Sequence, residues 1–186
     1  ERFRMVFLCQ NRAGYRNLSQ LLTMAYRFGQ HGGIAGIEES WLHADALRGV
    51  IALSGGPAGD LGKLANESKL VEIKHRIAYW RGLFGDRYYI EIMRTGRERE
   101  ERYTDAVLEC AAATDTPVVA SNDVRFLNSE EFAAREARVC IHQGRTIADP
   151  RRPHDYSPQQ YLKSEEEMCE LFADLPDALA NSVNIA

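Results

Sequence analysis

The chain has 186 residues, 45% of them apolar and 27% charged, which suits one globular domain with its own core. Its net charge of −4 gives no basic field of the kind an autonomous nucleic-acid binder carries. The four cysteines, Cys9, Cys110, Cys140 and Cys169, form no Cys-x-x-Cys pair, which favours reduced thiols in a cytoplasmic protein over a disulfide framework or a zinc knuckle. No apolar run approaches the ~20 residues that span a membrane, and no signal-peptide pattern is visible.

In chain order, Met5 to Cys9 reads as a first strand. Leu18, Leu21, Leu22, Ala25 and Phe28 then recur at helical spacing and mark one apolar face. Gly49 to Leu53 reads as a second strand and runs into "LSGGPAGDLGK". That stretch has no G-x-G-x-x-G pattern. Lys63 follows Gly62, but Pro57 stands five positions before Gly62 and Leu64 follows the lysine, so this is a tight strand-to-helix turn and not a phosphate-binding loop. Leu70, Ile73, Ile77, Trp80 and Phe84 mark a second helix, and Arg87 to Ile92 a third strand. Arg94, Arg97, Arg99 and Arg102 are interleaved with acids and read as a solvated helix face. Tyr103, Val107, Cys110 and Ala111 mark a third helix, and Pro117 to Ala120 a fourth strand.

Strands alternating with helices predict an α/β fold with a mainly parallel sheet, open or closed into a barrel. The last third shows no convincing strand. Asn128 to Glu131 and Ser164 to Glu167 both have capping-box spacing, and Asp174 with Pro176 suits another helix start. "ADPRRPHDYSP", which holds Arg151 and Arg152, reads as a connector. The start "ERFRMVFLCQN" lacks an initiator Met and "ALANSVNIA" stops inside a helical pattern, so the chain is expected to be a piece of a longer protein.

In parallel α/β folds the functional face lies at the C-terminal strand ends. Those ends carry Gln10-Asn11, Ser54-Gly55-Gly56, Glu91 and Ser121-Asn122-Asp123, a set expected to converge and poor in metal ligands. The histidines at 31, 43, 75, 142 and 154 are isolated; His75 is expected to form an exposed ion pair with Glu72, and His142 to close a helix.

Four stretches carry more. "GYRNLSQLLTMAY", "IALSGGPAGDLG", "VVASNDVRFLNSEEFAAREARVCIHQGRTIADP" and "YSPQQYLKSEEEMCELFADLPDALANS" closely resemble the PHP (polymerase and histidinol phosphatase) domain of the alpha subunit of bacterial DNA polymerase III. The resemblance implies the later part of a distorted (β/α)7 barrel over residues 1–150, followed over 151–186 by a helical connector towards the polymerase palm. Some members hold a trinuclear metal site at the strand ends and are metal-dependent 3′–5′ exonucleases. Others have lost the ligands and serve as scaffold and docking surface for the separate proofreading exonuclease subunit.

Metal-binding members read "SNDAHY" where this chain has Ser121 to Phe126, so Asp123 keeps a ligand position and Arg125 replaces a histidine. They read "LSGC" where Gly56 stands, and have a histidine where this chain has Arg4. A guanidinium does not deprotonate in a protein and cannot ligate a metal. The resemblance thus implies a degenerate site with no metal cofactor in this segment, in which Arg125 pairs with Asp123. The implied partners are the exonuclease subunit, the rest of the alpha subunit and, through the parent polymerase, DNA, with no membrane. The alternative is a metal-dependent phosphoesterase holding one Zn or Mn ion through Asp123, Glu91 and residues outside this chain. Any polymerase Mg site would also lie outside it.

Overall fold

The computed structural model describes residues 2–152 and 155–186. The chain opens with β1 (Val6–Cys9) and α1 (Arg12–Phe28), then a two-stranded ribbon, β2 (Gln30–His31) and β3 (Ile34–Ala35). β4 (Val50–Leu53) leads through a glycine turn into α2 (Asp60–Asn66) and α3 (Leu70–Phe84). β5 (Tyr88–Met93), α4 (Glu100–Thr114) and β6 (Val118–Ser121) follow, and α5 (Phe132–His142), α6 (Glu165–Leu171) and α7 (Pro176–Ile185) complete the chain. The main sheet runs β1-β4-β5-β6. β4, β5 and β6 are parallel, whereas β1 pairs antiparallel with β4 in the register Val6 to Leu53.

The four strands lie within a residue of their expected places, because each is a short β-branched or aromatic run bounded by turn residues. The expected helical faces of α3 and α4 form the core. Ile73, Ile77, Trp80 and Phe84 of α3 and Tyr103, Val107, Cys110 and Ala111 of α4 are buried against Val50, Ala52, Ile90 and Ile92. A fully buried side chain of this size contributes about 1.5–3 kcal/mol, so this one layer dominates stability. The opposite face carries a smaller cluster, Ile51, Leu53 and Val119, with Ile185 of α7 packed on it. Phe172, which follows α6, and Ala178 of α7 are fully buried in the main cluster. Asn181 Nδ2 donates to the Val118 carbonyl at 2.9 Å, filling an acceptor on the outer edge of β6.

The capping box at Ser164 is formed in both directions, and a break from Phe172 to Leu175 separates α6 from α7. Asn128 differs. Its side chain caps nothing, and only Glu131 folds back, accepting from the Leu127 N–H at 3.1 Å. A 3-10 turn over Ser129–Glu131 therefore precedes α5, which His142 ends as expected.

The main sheet is mainly parallel, as expected, with β4, β5 and β6 parallel and β1 entering antiparallel, since the long excursion from Arg12 to Gly49 allows either direction. Two further expectations need correction. Of the apolar face expected on α1 only Leu21 and Ala25 are buried, while Leu22 and Phe28 face outward. Glu72 and His75 form no ion pair with each other. His154 lies outside the described residues. No helix among the described residues is long and apolar enough to cross a membrane.

Candidate functional site

The antiparallel entry of β1 decides what meets at the strand ends. It brings Arg4, just before β1, beside the C-terminal ends of β4, β5 and β6. It sends Gln10 and Asn11 to the opposite end, where the Gln10 N–H bonds the Gly49 carbonyl and Asn11 caps α1. Gln10 and Asn11 are thus no part of the cleft, against the sequence expectation. Arg4 is fixed by its backbone: its N–H donates to Ala58 at 2.9 Å, and its carbonyl lies 2.2 Å from where a Cβ on Gly55 would stand. Only glycine fits at 55, whose φ is also +82°.

These segments line a cleft of about 370 Å³ that includes Arg4, Gly55, Met93, Arg97 and Asp123. Gly56 sits at its wall. A Cβ at this position would meet Met93 Cε at 3.0 Å and Sδ at 3.3 Å. The thioether therefore fills the side where the resemblance places a cysteine. Arg97 Nη2 in turn lies 3.5 Å from that sulfur.

Asp123 follows β6 with φ +41°, a conformation that aspartate tolerates better than most residues. The turn folds its carboxylate into the cleft, 4% exposed. Oδ1 accepts from Arg4 Nη1 at 3.3 Å and is ion-paired with Arg125 Nη2 at 2.9 Å. Oδ2 accepts from Arg97 at 3.0 Å and from Gln160 Nε2 at 3.1 Å. A carboxylate has about four lone-pair sites; three protein donors bond this one and the Arg125 charge stands beside them. Arg97 is held on its other side by Glu100, itself buried, at 2.9 Å.

The donors arrive on rigid supports. Asn122 Nδ2 bonds the carbonyls of Gln159 and Tyr161, and the Arg125 N–H bonds that of Gln160, which lashes the 157–161 segment across the end of β6. Ser157 donates to the Thr95 carbonyl and ties the same segment to the loop after β5.

Glu91 lies beneath the cleft, 4% exposed. Its Oε1 accepts from the Ser121 hydroxyl at 2.7 Å, while Oε2 has no hydrogen-bond partner among the described residues. Burial holds this carboxyl above the usual carboxylate range. The Ser121 hydrogen bond, the Arg4 charge and the Gly55 backbone N–H pull it back, and the Asp123 charge pushes it further up.

Among the described residues no group of three or more His, Cys, Asp or Glu side chains is placed to hold a metal ion. Three guanidiniums occupy the space around the one acid that the motif retains. The donor set present here does not fit a polynuclear metal centre.

The structure thus brings together Arg4, Gly56, Asp123 and Arg125, with Glu91 close by. Sequence reasoning missed Arg97, Glu100 and Gln160. Arg97 was hidden among alternating charges that read as a solvated face. Its spacing three residues before Glu100 was the available signal.

A family model for the PHP domain matches residues 1–95. Over 98–100% of its length the chain is 47% identical to DNA polymerase III subunit alpha of Haemophilus influenzae, 49% to that of Escherichia coli and 46% to that of Vibrio cholerae. It spans only 16% of the length of each of these relatives.

Proposed function

The chain belongs to the PHP-domain family, and from that premise we propose that it is a non-catalytic PHP segment of a cytoplasmic replicative DNA polymerase, in which an arginine cluster holds the cleft that metal ions hold in other members. The observation that carries this reading is the full commitment of Asp123 to Arg4, Arg97, Arg125 and Gln160. A charge that metals would balance is balanced by guanidiniums that cannot ligate, polarise water or leave as ions. The sheet is then the later part of a distorted barrel of about seven β/α units. Residues 151–186 lead from it towards the palm. The role that remains is structural: the segment supports the polymerase and offers a docking surface to the proofreading exonuclease subunit.

The runner-up is a phosphoesterase with a partial metal site, and the unpartnered oxygen of buried Glu91 is the one feature in its favour. A 3′–5′ exonuclease assay with added zinc or manganese separates the two, run on the full-length polypeptide with and without Asp123→Asn. The proposal expects no metal-dependent activity in either protein. Activity that Asp123→Asn abolishes would establish the runner-up. Arg125→His should likewise create no nuclease, since Arg4, Arg97 and Gly56 remain.

A further inference from the structure

The helix α1 is clasped on one side and bare on the other. On the inner side a Cβ at Gly14 would lie 1.8 Å from the Gly49 carbonyl oxygen, so the helix touches, backbone to backbone, the turn that leads into β4. Asn11 caps the helix through the Gly14 N–H, and Asn17 Nδ2 donates to the carbonyls of Asp45 and Arg48. Leu21 and Ala25 complete the buried face. The helix is therefore held rigidly, independent of anything that covers its outer side.

That outer side carries Tyr15, 66% exposed, Leu22, 46%, and Tyr26, 67%. Their spacing places them in one line along the helix, about 16 Å from end to end. Arg12, Arg16 and Arg27 are exposed along the flank of that line. The helix contains no Asp or Glu, in a chain whose net charge is −4. None of these three arginines has a carboxylate within ion-pair distance among the described residues. Tyrosine and arginine are the side chains that dominate protein interfaces, and a rigid helix presents them with little ordering cost.

We propose that the outer face of α1 is a docking surface for a helix of a second protein, with an apolar stripe that packs on Tyr15, Leu22 and Tyr26 and an acidic flank that meets the three arginines. The charge pattern selects the acid. The straight, three-turn apolar line selects a helix. Single-stranded nucleic acid fits less well, because the surface is convex, Leu22 interrupts any stacking platform, and the arginines flank the stripe instead of lining a groove. The inference goes beyond the proposed function, which names a partner but no surface. It holds whether or not that partner is the exonuclease subunit.

The test uses the full-length polypeptide in living cells, with Tyr26 replaced by the photo-crosslinker p-benzoylphenylalanine. The expected product is a crosslink to a separate protein, at a peptide with apolar residues at helical spacing and an excess of Asp and Glu. Arg12→Glu with Arg16→Glu should cut the yield about tenfold, the loss expected for hot-spot charges. Charge reversal of the partner's acids to Lys should restore it. Thermal melting of the charge-reversed variant, expected to be unchanged, keeps misfolding from imitating the effect. A crosslink only to nucleic acid, only within the same polypeptide, only to a peptide without the acidic flank, or none at all, overturns the inference. So does a yield that the charge reversal leaves unchanged.

Discussion

Two of the ionic knots among the described residues are inverses of each other. At the strand ends one carboxylate, Asp123, is shared by three guanidiniums. Near the start of α2 one guanidinium, Arg76, is shared by two carboxylates. It bonds Asp60 at 2.8 Å and reaches both oxygens of Glu39 at 2.9 and 3.2 Å. It also lies over the rings of Tyr79 and Trp80, at 4.8 and 4.7 Å. The difference is what surrounds the hub. The Asp123 side chain is 4% exposed and its donors come from four separate stretches of chain. The Arg76 side chain is 25% exposed and keeps an aromatic bed as well as its ion partners. A hub without water depends wholly on its partners, and its partners on it. A hub with water and an apolar bed has alternatives.

The comparison breaks most directly at Asp123. Asp123→Ala leaves three guanidiniums, 23–43% exposed, facing one another without their shared acid and should cost about 3 kcal/mol of stability, read by urea denaturation. A loss below about 1 kcal/mol would mean that the cluster is well solvated. Arg76→Met should come next, at about 2 kcal/mol, since charge-assisted bonds and the ring contacts are lost but Asp60 keeps the Leu61 N–H and Trp80 Nε1 as donors. If this variant were the more damaging, the ranking by burial would be wrong. Arg125→Met should cost about 1 kcal/mol or less, because Asp123 keeps Arg4, Arg97 and Gln160. A loss as large as that of Asp123→Ala would single out Arg125 as the essential partner.

The smallest effect sharpens the picture by pH. The Glu91 carboxyl is held above its ordinary value by burial. As pH falls through that raised value, the folded state takes up a proton that the unfolded state does not yet bind. Glu91 therefore adds stability on acidification, complete once pH is below the ordinary carboxylate range. The melting-temperature difference between Glu91→Gln and the unchanged protein should shift in favour of the latter from pH 7 to about pH 4.5. A difference that stays constant would show that the carboxyl is not desolvated.

Much of the frame was legible in the sequence, for particular reasons. β4, β5 and β6 are short apolar runs closed by glycine or polar turns, and α3 and α4 bury the residues that their spacing marks. Capping at Ser164 is local chemistry within four residues and was equally readable. What escaped depends on distant contacts. The direction of β1 is set by pairing with β4, and α2 is too short for its periodicity to show. Leu22 and Phe28 share helical spacing with buried neighbours, but spacing alone does not say how wide the covered face is. In the cleft, the motif that carries Asp123 and Arg125 was readable because both lie on one stretch. Arg97 and Gln160 reach the same carboxylate from segments 26 and 37 residues away, and nothing local announces that meeting.

The central claim is that the carboxylate of Asp123 is satisfied by protein donors and holds no metal. Elemental analysis of zinc and manganese in the purified full-length polypeptide tests it most directly, when the unchanged protein is compared with Asp123→Asn. Any metal held elsewhere in the polypeptide contributes equally to both, so the difference isolates the cleft. The account predicts the same metal content in the two proteins. One or more equivalents of metal present in the unchanged protein and missing from Asp123→Asn would contradict it.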